Sequence, residues 1–143
     1  MSRPASHEDA NLILRLFEER REPRMRHARD WFVRNFRYKT VKEFFDACPL
    51  GSEENASARM VGSYWEMVAS FITSGILHEE LFFQSGRELV LCYLRLRPIL
   101  AEMREANKDP FLYTNLETVA KRFEEYATAR APEAFAAFAQ RVS

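Results

Sequence analysis

Apolar side chains recur along this chain every three or four residues, and no stretch alternates with the period of two that a half-buried strand requires. The pattern predicts helices throughout. Ser6 is placed to cap the first, with Glu8 and Asp9 in the opening turn, where carboxylates favour the helix dipole. Leu12/Leu16 and Ile13/Phe17 stack one turn apart and form its inner face. Pro23 then either kinks one long helix or starts a second at its first position, because proline lacks an N–H donor and clashes with the preceding turn. The second segment turns Ala28, Trp31, Phe32 and Phe36 inward and its arginines outward.

Thr40 opens a short helix closed by Pro49 and Gly51, and Ser52, followed by Glu53 and Glu54, caps the next. That helix carries two apolar rows, Met60/Tyr64/Met67/Phe71 and Val61/Trp65/Val68/Ile72, which predicts a central position surrounded by others. Gly75 ends it. A short helix around His78–Gln84 comes next, then a capping-box pattern, Ser85-Gly86-Arg87-Glu88, opening a helix with a kink or break near Pro98. Asp109-Pro110 interrupts the chain, and Leu116, Val119, Ala120, Phe123 and Tyr126 mark the last major helix. The expectation is an all-α fold. A compact bundle of five to seven helices forms one domain over residues 1–143, with residues 1–6 and the alanine-rich tail, 131–143, peripheral.

Composition agrees with a packed bundle and narrows the chemistry. Apolar residues make up 47% of the 143, including twelve Phe and two Trp, which is ample for a core without metal or disulfide. Four Gly and six Pro are too few for the tight turns of an all-β fold. The net charge is zero but unevenly spread: residues 12–42 carry ten basic and four acidic side chains, +6, against −6 elsewhere. Cys48 and Cys92 fit no zinc or redox spacing and read as small buried hydrophobes. The longest apolar run, six residues from Leu89 to Leu94, cannot span a bilayer, and no signal-peptide pattern opens the chain, so the expected address is the cytoplasm.

Candidate chemistry is sparse. His78 begins HEELF, which would need a second imidazole where Phe82 stands to bind zinc, so neither a metal site nor another cofactor is expected. No Glu-x-x-His pair, nucleophile elbow or phosphate-binding glycine loop occurs. An enzyme is therefore disfavoured. Glu66, directly after Tyr64-Trp65 on the most apolar helix, must find a partner, face a cavity or reach solvent; a structural ion pair with Arg95 or Arg97, or a polar edge, is the favoured reading. The basic segment 15–42, with Arg20, Arg21, Arg24 and Arg26 foremost, interleaves cations with aromatics as single-strand binders do. Yet its aromatics recur at helical spacing and its arginines alternate with Glu18, Glu19, Glu22 and Asp30, which disfavours nucleic acid as a partner.

With these residues in view, the chain resembles an uncharacterised bacterial all-helical family known only as a domain of unknown function. The resemblance rests on Tyr64-Trp65-Glu66, then Gly75, Ile76, Leu77, Glu80 and Leu81, then Tyr93, Leu96 and Pro98, and last Pro110, Tyr113 and Asn115. Leu94 and Leu112 stand where the family pattern has an aromatic residue. The resemblance spans residues 11–126 and implies a helical fold without supplying an activity. Its polar exceptions, Glu66 and Asn115, join Tyr64, Tyr93 and Arg97 as candidate ligand-binding residues.

The expected function is a non-catalytic regulatory or scaffolding module. It would present a helical surface to a protein partner, a second copy of itself included, through Phe135, Phe138 or the basic N-terminal hairpin. A small-ligand or enzymatic pocket near Glu66 is the first alternative, and nucleic-acid binding through 15–42 the second.

Overall fold

A computed structural model describes residues 3–143. The described residues form eight α-helices and no strand: α1 (His7–Arg21), α2 (Pro23–Asn35), α3 (Val41–Ala47), α4 (Glu53–Thr73), α5 (Glu79–Phe83), α6 (Arg87–Asn107), α7 (Thr114–Arg130) and α8 (Pro132–Val142). The count exceeds five to seven for two reasons. Pro23 separates two helices instead of kinking one, and the tail folds into α8 instead of fraying.

The local signals explain most boundaries. Ser6 accepts from the Asp9 N–H while the Asp9 carboxylate accepts from the Ser6 N–H, a reciprocal capping box. The Thr40 and Ser52 hydroxyls cap α3 and α4 one way, accepting from the Glu43 and Asn55 N–H groups. Gly75, at φ +77°, supplies the left-handed turn that lets the Ile76 N–H reach back to the Phe71 carbonyl. His78 caps α5 through its ring, Nδ1 accepting from the Leu81 N–H at 3.1 Å. Pro98 does not break α6, which runs through it with the ring on the exposed side.

The start of α6 departs from expectation. Its N-cap is Gly86, and no side chain caps it. Glu88 turns away and meets Arg20 of α1 and Arg29 of α2, the latter through Nε and Nη2 at 2.9 and 2.7 Å. Two guanidinium forks outcompete a single backbone N–H for one carboxylate. A Cβ at Gly86 would meet the buried Phe82 ring at 2.2 Å, so the close approach of α5 to α6 needs glycine there.

α4 packs against α2, α6 and α7, and α6 packs against α3, α4, α7 and α8. Of the two apolar rows on α4, Val61/Trp65/Val68/Ile72 is buried, while Met60 and Met67 of the other row stay 38% and 40% exposed. The tail is docked: Phe135, Phe138 and Val142 lie in the core, with Phe135 6.2 Å from Phe123. Hence Phe135 and Phe138 do not form a free interface. Cys48 and Cys92 are free thiols, both fully buried. No helix among the described residues is long and apolar enough to cross a membrane.

Candidate functional site

The segment after α6 sets up the environment of Glu66. Lys108 ends α6 in the left-handed region, and five residues later Tyr113 enters it again, at φ 57° and ψ 29°, immediately before α7. A bulky aromatic residue there costs on the order of 1–3 kcal/mol. It is held by packing, because the Tyr113 ring lies against Gly62 of α4, where a Cβ would meet its hydroxyl at 2.4 Å. Tyr113 offers α7 no side-chain cap. The first N–H groups of a helix must find acceptors somewhere.

Glu66 supplies them from α4. Its Oε1 accepts from the Leu116 N–H at 2.8 Å, and its Oε2 accepts from the Asn115 side-chain amide at 2.9 Å and the Asn115 N–H at 3.4 Å. Asn115 is fixed in turn, its Oδ1 accepting from the Thr73 hydroxyl at 2.7 Å. A carboxylate at a helix N-terminus also meets the positive end of the dipole. Glu66 is therefore the cap of another helix, and the expected ion pair with Arg95 or Arg97 does not form.

The other candidate residues do not converge on it. Tyr93 donates to Glu117 Oε2 at 3.3 Å, in a second cluster where Arg104 holds both Glu117 Oε1 and the Leu112 carbonyl. These arginine contacts keep the Glu117 carboxyl below its ordinary pKa despite its burial. Tyr64 stands two positions from Glu66, about 200° around the helix. It points the other way and donates to the Leu16 carbonyl of α1 at 2.5 Å. Burial pushes its phenol up to about 12. Arg97 is exposed. Of the five candidates, only Glu66 and Asn115 touch.

Arg95 has a role the sequence did not signal. It is 3% exposed, yet it faces no carboxylate: it donates to the carbonyls of Phe32, Val33 and Phe36 at the end of α2, at 2.9–3.2 Å, and to the Val142 carbonyl at the end of α8. One guanidinium thus closes two helix C-termini, where unsatisfied carbonyls and the negative dipole end favour a cation.

The basic candidates split as well. Arg20 is committed to Glu88 and lies over the rings of Phe17 and Trp65, at 4.5 and 5.2 Å. Arg21, Arg24 and Arg26 remain exposed, but Phe32 and Phe36 are buried in a stack at 4.5 Å. These two rings are therefore not available for base stacking, whereas Trp31 and Tyr38 of the same segment are half-buried. Asp9 is a further residue whose role was not legible: 1% exposed, it takes two nitrogens of Arg3, the Ser6 hydroxyl and N–H, and the His78 N–H. It ties the chain before α1 to the entry of α5.

One family model matches the chain, the one described as Domain of unknown function (DUF4760), over residues 5–123. The chain belongs to this family. The Glu66–Asn115 cap, the Glu88 cluster and Arg95 all lie inside the matched span, whereas α8, which Arg95 secures, lies beyond it. No curated protein and no solved structure matches the chain.

Several clefts indent the surface of the described residues, and two of them bear on function. One, of about 570 Å³, lies where α1 and the start of α2 meet α4, walled by Leu12, Leu16, Met25, Met60, Met67 and Phe71, with Arg15, Glu19 and Glu22 also contributing. The other, of about 320 Å³, lies between α3, α4 and α6 and includes Tyr113 but not Glu66. Among the described residues, no group of three or more His, Cys, Asp or Glu side chains could hold a metal ion.

Proposed function

We propose that the chain is a non-catalytic protein-interaction module that takes an amphipathic helix of a protein partner into the groove between α1, α2 and α4. The observation that supports this reading is the half-open methionine row, Met60 and Met67, in a chiefly apolar trough with charged flanks. Thioether side chains are flexible and polarizable, and they repack around varied apolar anchors. A trough between helices receives anchors spaced i, i+3/i+4 and i+7. Arg15, Glu19 and Glu22 offer both signs of charge to the flanks of such a helix. The non-catalytic part of the reading is supported by the fate of the charged groups. Asp9, Glu66 and Arg95 are spent mainly on helix ends, and Glu88 on two arginines. A cytoplasmic address fits two reduced, buried thiols.

A photo-crosslinking residue at Met67, introduced in living cells, tests the proposal. One discrete protein adduct is expected, identified by mass, and a mass of twice the chain would make the partner a second copy. Met60→Lys should abolish that adduct while the thermal midpoint stays within a few degrees, since position 60 is well exposed. An adduct that survives Met60→Lys, or one equally strong from exposed Glu125 on α7, would overturn it.

A further inference from the structure

The smaller cleft differs from the methionine groove in character, and its chemistry does not depend on whether that groove binds a helix. Its volume of about 320 Å³ falls at the lower end of small-molecule sites, roughly 300–1,000 Å³. Its walls are chiefly apolar and aromatic: Phe36, Phe44, Phe45, Leu96, Met103 and Leu112. Leu50, 81% exposed, stands at its edge. One charged side chain belongs to this lining, Arg59.

Arg59 is held in a defined orientation. The Cys48 carbonyl accepts from Asn55 Nδ2 at 3.0 Å, and Asn55 Oδ1 accepts from Arg59 Nε at 2.9 Å. That relay fixes the guanidinium by its inner nitrogen and leaves the terminal fork, Nη1 and Nη2, without a protein acceptor among the described residues. No carboxylate lies within ion-pairing distance of it among them. Ser63, one turn further along α4, and Tyr113 line the same cleft, and neither hydroxyl hydrogen-bonds to a protein group among the described residues.

We propose that this cleft binds a small monocarboxylate with an apolar body, its carboxylate on the terminal fork of Arg59 and its body among Phe36, Phe44 and Leu96. The fork geometry matches the two oxygens of one carboxylate in a bidentate contact. A phosphate monoester carries about twice the charge and would call for further donors that the apolar walls do not supply. Ser63 and Tyr113 offer hydroxyl donors to the same carboxylate. The apolar body covers the aromatic walls and the exposed Leu50, and the area removed from water there drives the binding.

Backbone amide shifts of the full chain, titrated with octanoate and separately with the neutral, near-isosteric octanamide, test this. Octanoate should saturate with a Kd below about 1 mM. It should move amides in residues 55–63 and 107–113, while octanamide binds about tenfold more weakly for want of the charge-assisted pair. Arg59→Gln should bring octanoate down to the affinity of octanamide with the thermal midpoint unchanged, and Ser63→Phe, placed at an exposed position, should exclude both. No saturation at millimolar octanoate would overturn the proposal. So would shifts centred on Leu12, Met60 and Phe71, or an Arg59→Gln variant that binds octanoate as the parent does.

Discussion

Glu66 and Arg95 are opposite charges on the two long helices of the bundle, and the structure uses them at opposite helix poles. Glu66 on α4 meets the N-terminus of α7. Arg95 on α6 meets the C-termini of α2 and α8. Neither needs a counter-ion, because the aligned peptide groups of a helix end supply both the hydrogen bonds and the complementary partial charge. The difference lies in how many elements each serves. Glu66 serves one helix that also has Tyr113 and Asn115 to organise its start, whereas Arg95 alone joins two helix ends distant in sequence.

The damage expected on removing each charge scales with the number of helix ends it holds. Arg95→Met keeps much of the volume but removes the donor shared by the Val33, Phe36 and Val142 carbonyls, while the Phe32 carbonyl keeps the Phe36 N–H, and it should cost about 3–4 kcal/mol in urea denaturation. Amides of residues 132–142 should lose hydrogen-exchange protection first. Equal loss across all helices would mean the guanidinium is not a local clasp.

Glu66→Leu should cost about 2–3 kcal/mol, concentrated at the start of α7. Glu66→Gln retains one acceptor oxygen and should cost about 1 kcal/mol. If Gln and Leu are equally damaging, the negative charge at the helix pole matters more than the hydrogen bonds.

Asp9 sharpens the contrast through pH, since its carboxylate binds a side-chain cation as well as backbone N–H groups. The Arg3 guanidinium, aided by the Ser6 and His78 N–H groups, holds its pKa far below the ordinary value. A depressed folded-state pKa means that stability is fully present above the unfolded value, about 3.9. It is lost as pH falls below that value. Denaturation midpoints measured from pH 5 down to pH 2 should therefore fall, with a shallower slope in Asp9→Asn. Identical slopes would show that other carboxylates carry the acid sensitivity.

The smallest effect belongs to the exposed pair Arg34–Asp30 on α2, at 3.1 Å with side chains 74% and 60% exposed. Arg34→Ala should change stability by less than about 0.5 kcal/mol in the same urea denaturation.

Legibility in the sequence obeys the same division between near and far. Ser6, Thr40, Ser52 and Gly75 act within four residues of themselves, so their capping roles were legible from spacing alone. Trp65, Phe32 and Phe36 were legible as core because helical periodicity places them on one face. Glu88 had the local signature of a cap, but its partners, Arg20 and Arg29, lie 68 and 59 positions away. Local spacing carries no information about such a meeting. Glu66 was legible as a charge in need of a partner, yet the expectation of a pair with Arg95 or Arg97 treated side chains as the sole acceptors and donors. Arg59 passed unnoticed because its orientation depends on Asn55 and the Cys48 carbonyl together. The docking of α8 is not legible either way, because an alanine-rich helix with two phenylalanines reads the same whether those rings find a cleft or not.

Arg95 also has a consequence for the order in which the chain acquires its structure during synthesis. Translation delivers Arg95, α2 and every helix through α7 before the Val142 carbonyl exists. α8 therefore docks on a guanidinium whose other acceptors, the carbonyls at the end of α2, are more than a hundred residues earlier in the chain.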